Sequence, residues 1–189
     1  DIYGRLVYNG NTFTPISSLS DAIRKQTIVI NGVSKTYAMT GWRVGFAVGE
    51  PEIISGMAKI ISQTTSNLTS VSQYAAIEAL TGDQSSIEEM RKAFEERLNT
   101  IYPLLAEVPG FEVIKPQGAF YLFPNVKKAM EIKGYTDVND FTNAILEEAE
   151  VALVTGAGFG APENIRLSYA TDLDILKEAV RRIKAFMEK

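Results

Sequence analysis

The run Thr27-Ile-Val-Ile-Asn31, closed by Gly32, does most to limit the folds open to this chain. A short, β-branched apolar run of this length reads as a strand buried on both faces, the kind found in a parallel or mixed sheet covered by helices. The segment Arg43-Val-Gly-Phe-Ala-Val48 reads as the next strand, ended by Gly49. Pro51 then opens a helix at a position where a missing N–H costs nothing. Ile53, Ile54, Met57, Ile60 and Ile61 follow helical spacing and predict one apolar face. A polar stretch from Ser62 to Ser70 leads to a second helix over Val71–Leu80, and Thr81-Gly82-Asp83-Gln84 breaks it.

The pattern then changes. Ile87, Met90, Phe94, Leu98, Ile101 and Leu105 predict a long helix over Ser86–Glu107. Phe111–Lys115 and Ala119–Phe123 read as strands joined by Pro116-Gln117-Gly118, and Asp140–Glu150 as a helix. Val151–Val154 and Ile165–Tyr169 read as strands around a Gly-rich loop. A terminal helix from Asp172 carries Leu173, Leu176, Val180, Ile183 and Met187 on one face. The expected organisation is therefore α/β. Residues 1–84 form the last part of a larger layered domain, and residues 85–189 a compact α+β domain with its own sheet.

Composition excludes several chemistries. The 189 residues contain no Cys and no His, so disulfides, a thiol nucleophile, a Ser-His-Asp triad and the usual zinc sites are ruled out, and no metal is expected. The lack of Cys fits a reducing cytoplasm. A net charge of −4 argues against nucleic acid or an anionic membrane as partner, and no apolar run is long enough to span a bilayer. The start at Asp1, without an initiator Met or a signal peptide, reads as a truncated or cleaved chain. Chemistry is left to Lys, Asp, Glu, Tyr or Ser, with room for an organic cofactor.

Three residues attract notice on their own. Lys35 follows a strand that the pattern buries, and Arg43 lies eight residues beyond it. Such a pair suits a lysine that holds a carbonyl cofactor as a Schiff base beside an arginine that grips its phosphate. The plainer reading is a lysine at a strand end and an arginine at a strand start, both in water. Arg166 is a lone cation in the apolar strand Ile165–Tyr169. It either faces solvent from an edge strand or needs a partner, because an unpaired buried charge is costly.

The run from Asn31 to Phe46, with Ser34-Lys35 and Thr40-Gly41-Trp42-Arg43, closely resembles the active-site lysine segment of fold type I pyridoxal-phosphate aminotransferases, the aspartate aminotransferase superfamily. In that family the lysine lies past the middle of a chain about twice as long, so the resemblance is to a C-terminal half: the end of the large α/β/α domain plus the small α+β domain. It implies that Lys35 binds pyridoxal 5'-phosphate covalently and that Arg43 binds the phosphate. Arg166, before Leu167-Ser168 and after Gly156-Ala-Gly158-Phe-Gly160, would bind the substrate α-carboxylate. Tyr3 would sit on a strand before the lysine and hydrogen-bond the cofactor's phenolic oxygen; Asp1 does not have the spacing of the family's pyridine-binding Asp. Gln117-Gly118-Ala119-Phe120-Tyr121 resembles a turn of the small domain. Thr65-Ser66-Asn67, with Ser70 and Gln73, resembles a dimer-interface loop. Ser62 stands where one branch of the family has an arginine for a distal carboxylate.

The activity implied is transfer of an amino group between an amino acid and a 2-oxo acid, in a homodimer when full length. The chain alone is expected to be inactive, since the pyridine-binding Asp and the phosphate-cradling loop lie outside it. Two other readings keep the same residues: a lyase or cyclopropane-forming synthase using the same cofactor, or a folded fragment without catalysis.

Overall fold

The structure, a computed structural model, describes residues 1–189, which fall into two compact units, Asp1–Lys92 and Ala93–Lys189. The first unit holds helix α1 (Asp21–Lys25), strands β1 (Val29–Gly32) and β2 (Gly45–Val48), and helices α2 (Pro51–Thr64) and α3 (Ser70–Thr81). Helix α4 (Ser85–Ala106) begins here and continues into the second unit. Ser20 caps α1 by accepting from the Ile23 amide at 3.2 Å, and Pro51 occupies the first position of α2.

β1 and β2 pair antiparallel, from Val29 opposite Val48 to Gly32 opposite Gly45. The strand expected over Thr27–Asn31 starts two residues later and is not buried on both faces: Ile30 is 60% exposed. A two-stranded ribbon has only one partner per strand and no second layer of its own. The second expected strand also starts later, at Gly45, because Arg43 adopts left-handed backbone geometry. The core of the first unit is small. Val33, Val44 and Ala76 form a buried cluster against which Tyr37, Met39 and Leu68 pack. The apolar stripe of α2 forms as the spacing predicts, yet none of its residues is buried; Ile53, Ile60 and Ile61 face outward. Val71, Tyr74, Ile77 and Leu80 of α3 are likewise exposed.

The second unit contains the rest of α4, strand β3 (Tyr121–Leu122), helices α5 (Lys127–Lys133) and α6 (Val138–Ala149), strands β4 (Val154–Thr155) and β5 (Ile165–Ser168), and helix α7 (Leu173–Glu188). The strands form one antiparallel sheet in the order β3-β5-β4. Leu98, Ile101 and Leu105 of α4, Phe141 and Ile145 of α6, Ile165 of β5, and Ile183 and Phe186 of α7 are almost fully buried and form this unit's core. Asp137 and Asp172 cap α6 and α7 with their carboxylates.

The strand expected over Phe111–Lys115 reduces to one bridge, Glu112 to Asn125, because Ile114 and the residues before Pro116 find no partner. The one over Ala119–Phe123 shrinks to Tyr121–Leu122, since Ala119 has φ +61° and cannot extend the ladder. Val151–Val154 shrinks and shifts to β4. No helix is long and apolar enough to cross a membrane.

On α7, Glu178 takes charge-assisted hydrogen bonds from Arg181 at 2.6 Å and Arg182 at 2.8 Å, and Arg182 reaches Glu150 at 2.8 Å. The Arg181 and then the Arg182 contacts hold the Glu178 carboxyl down from its ordinary 4.5 to about 2. A depressed folded value means that the stabilisation is present above the unfolded value and is lost as pH falls through about 2. The groups are solvent-exposed and screened, so the effect on stability is small. Carboxyl-detected NMR should place the Glu178 midpoint near 2, and Arg181→Gln should raise it; a midpoint at the ordinary value in the unmodified chain would show that the pair does not form.

Candidate functional site

Residues 33–44 connect β1 to β2 as a loop closed at its neck: the Val33 amide donates to the Val44 carbonyl at 3.3 Å. Closure requires Gly32, which is buried and whose Cβ, if present, would stand 2.7 Å from that same carbonyl oxygen. Past Val33 the chain makes a single helical turn. Tyr37 N–H donates to the Val33 carbonyl at 3.2 Å and Ala38 N–H to the Lys35 carbonyl at 3.3 Å. Lys35 sits on this turn, half-buried, immediately after the strand.

The turn is anchored at its far end. Tyr37 packs against the Val33–Val44–Ala76 cluster, and its hydroxyl lies 3.4 Å from Gln84 Oε1. The Gln84 amide nitrogen donates to the carbonyls of Ala79 at 3.0 Å and Gly82 at 2.9 Å, which leaves its oxygen to accept from Tyr37. Lys35 is thus held between a strand end and a tyrosine strut.

Thr40–Trp42 form a 3-10 turn, after which Arg43 adopts φ 54°, ψ 49°. A non-glycine residue there costs roughly 1–2 kcal/mol, and such strain persists where the surroundings enforce it. The Arg43 side chain is exposed and donates to the Thr40 carbonyl at 2.8 Å, while the Thr40 hydroxyl donates to the Ser34 carbonyl at 3.2 Å. Arg43 precedes Val44 and Lys35 follows Val33 by two residues, so the neck bond brings both to the same end of the ribbon.

Tyr3 belongs to the same unit but not to a strand. Gly4 N–H donates to the Asp1 carbonyl at 2.9 Å and Leu6 N–H to the Tyr3 carbonyl at 2.8 Å, so local bonds curl the segment into turns. Ile2 packs beside the end of β1, its Cδ1 3.5 Å from where a Cβ on Gly32 would lie. Ser62, on α2, and Thr65-Ser66-Asn67, just after it, are exposed, with Ser66 at φ +65°.

Arg166 lies in the second unit on β5, the central strand, opposite Val154. The edge-strand alternative is therefore wrong. Its guanidinium carbon lies over the Tyr121 ring at 4.5 Å and the Phe159 ring at 4.7 Å from the centroids. Two ring faces take the place of a carboxylate partner. Tyr121 was marked in the sequence by its turn motif; the Phe159 contact was not, although an aromatic side chain in a Gly-rich loop is a signal for it. The Gln84 anchor left no such signal. In the first unit, Gly32→Ala should open the loop neck, lowering stability by roughly 1–3 kcal/mol in urea and speeding exchange of the Val33 amide; an unchanged exchange rate would show that closure does not depend on this glycine.

The chain matches the family described as aminotransferase class I and II over residues 1–183. It is 77% identical to the asparagine–oxo-acid transaminase of Streptococcus mutans serotype c and 56% identical to the aspartate aminotransferase of Bacillus subtilis, over the whole of this chain and 48% of each relative. Among solved structures, the aspartate aminotransferase of Rhizobium meliloti superposes with a TM-score of 0.90 at 37% identity, over 100% of this chain and 48% of that one. The aromatic aminotransferase of Pyrococcus horikoshii OT3 gives 0.90 at 35% identity, over 99% and 49%. The chain thus spans about half the length of the curated relatives it matches, with the α/β architecture of the matching part. On this evidence it is a member of the class I and II aminotransferase family.

Proposed function

We propose that these residues belong to a pyridoxal-phosphate-dependent aminotransferase of the aspartate aminotransferase type, working between an amino acid and a 2-oxo acid. The observation that carries this reading is the loop neck, which gathers Lys35 and Arg43 at one end of the β1–β2 ribbon. The donor set fits a phosphorylated carbonyl compound: a half-buried primary amine, an exposed guanidinium that can take a phosphate through two bonds, and the Ser34 hydroxyl beside the lysine. In this reading residues 1–84 are the end of the cofactor domain and residues 85–189 the small domain.

When bound, pyridoxal phosphate supplies an electron sink for negative charge developing at the substrate α-carbon. The protein's part is positional. Lys35 would hold the cofactor through its amine, and the same amine would serve as the base that moves the proton at the substrate α-carbon. Arg43 binds the phosphate. Tyr3 would hydrogen-bond the cofactor's phenolic oxygen. Arg166 takes the substrate α-carboxylate. The names of the relatives from Streptococcus mutans and Bacillus subtilis support aspartate or asparagine as amino donor. Ser62, in place of a distal-carboxylate arginine, means that any second carboxylate is recognised by other groups. The uncovered apolar faces of α2 and α3 support a homodimer in the full-length protein, and a cytoplasmic setting fits a chain without cysteine.

The test is borohydride trapping. The chain is incubated with pyridoxal phosphate, reduced, digested, and the modified lysine located by mass spectrometry. Label should concentrate on Lys35 and disappear from that peptide in Lys35→Arg. Label spread evenly over the surface lysines would refute the reading. The chain alone should show no transaminase turnover; sustained keto-acid formation by a preparation of this chain only would contradict the division of the site proposed here.

A further inference from the structure

The Arg166 guanidinium is half-buried in the central strand, yet its contacts are aromatic rings, with no carboxylate bonded to it. A carboxylate partner would satisfy the charge but would occupy the rim of N–H donors that a ligand must reach. Ring faces stabilise the cation through its quadrupole attraction and use up no N–H donor.

The two rings arrive by different routes. Tyr121 is fixed by the β3–β5 register, in which it stands opposite Ser168, two residues from Arg166. Phe159 is delivered by the Gly-rich loop. Gly156 donates to the Asn164 carbonyl at 2.7 Å and accepts from Ala161 at 3.0 Å and from Phe159 at 2.9 Å. A Cβ on Gly156 would collide with the carbonyl oxygens of Ala161 and Asn164, so only glycine permits this closure. Gly160, at φ +72°, turns the chain back behind the 3-10 turn Ala157–Phe159. Phe123 meets the Phe159 ring edge-on at 6.1 Å and steadies it. The closed loop thus carries an exposed phenylalanine to the guanidinium.

We propose that Tyr121 and Phe159 are positioning residues that hold the Arg166 guanidinium oriented and without a competing counter-ion, so that its donor rim is available to a ligand carboxylate. The identity of that carboxylate, an amino acid or 2-oxo acid, rests on the aminotransferase reading; the cage itself does not.

The experiment uses the full chain without cofactor, labelled with ¹⁵N at arginine, and pyruvate as the probe carboxylate. In the unmodified chain the Arg166 Nε–Hε resonance should be displaced by the ring currents of both neighbours and should move on titration with pyruvate. Phe159→Leu should return that resonance toward the ordinary arginine position and weaken pyruvate binding about tenfold, the scale of one lost ring contact. Phe159→Tyr, which keeps a ring, should preserve both signals. Tyr121→Leu gives the same readout from the sheet side, should Phe159→Leu disturb folding. The proposal is overturned if either leucine variant, folded by circular dichroism, leaves the resonance in place. It is equally overturned if the resonance moves but pyruvate affinity is unchanged, or if pyruvate does not perturb Arg166 at all. Lys35 trapping on the same samples reports separately on the aminotransferase reading, so a chain lacking selective label but retaining the ring-shifted, pyruvate-responsive Arg166 would sink that reading alone.

Discussion

The candidate cofactor site depends on a single backbone contact, the Val33 amide to the Val44 carbonyl. It fixes where the β1–β2 ribbon stops and the loop begins. A one-residue slip of an antiparallel pair would turn every side chain over. Gly32 opposite Gly45 keeps the neck narrow, and the Val33–Val44–Ala76 cluster seals it from below. With the neck set, the positions of Lys35 and Arg43 follow from short local bonds: a turn after Val33, a strut from Tyr37 to Gln84, and a 3-10 turn that aims Arg43. The left-handed geometry at Ala38 and Arg43 is the conformational cost of turning the chain back within so short a loop.

The second unit handles a different problem. A cation in a central strand is expensive to bury, and an acidic neighbour, the usual remedy, would occupy the N–H rim that is proposed to receive a carboxylate. Tyr121 and Phe159 offer a remedy through ring faces, and the Gly-rich loop is shaped by the need to bring the second ring into place. The two units therefore show two ways of presenting a positive group, one by loop strain and one by aromatic support.

Helices were legible in the sequence because their period is long and repeated. The face Leu176–Val180–Ile183–Met187 is buried as the spacing requires, and α3 and α4 start within a residue of expectation. Strands were less so. Two or three apolar residues beside Pro116 or Gly118 do not distinguish a ladder from an extended loop, and Phe111–Lys115 has no partner strand. The seven-residue α5, opening with Lys127 and Lys128, has too little periodicity to detect. Of the candidate site, Lys35, Arg43 and Arg166 stand out in the sequence through their motif context. The Tyr37–Gln84 and Phe159–Arg166 contacts do not, since each joins residues whose nearness only the fold creates.

Ile53, Ile60 and Ile61 of α2 and Val71, Tyr74 and Ile77 of α3 leave apolar faces exposed in a chain that spans 48% of its relatives' length. Lys35 and Arg43, the two groups proposed for the cofactor's aldehyde and phosphate, nonetheless lie within one short loop. The claim that Lys35 and Arg43 serve one cofactor is tested most directly by ³¹P NMR of the chain after borohydride fixation of pyridoxal phosphate. If Arg43 grips the phosphate, its second ionisation should lie below the usual value of about 6 and return toward it in Arg43→Ala. A phosphate that titrates normally in the unmodified chain, or identically in both, would contradict the account.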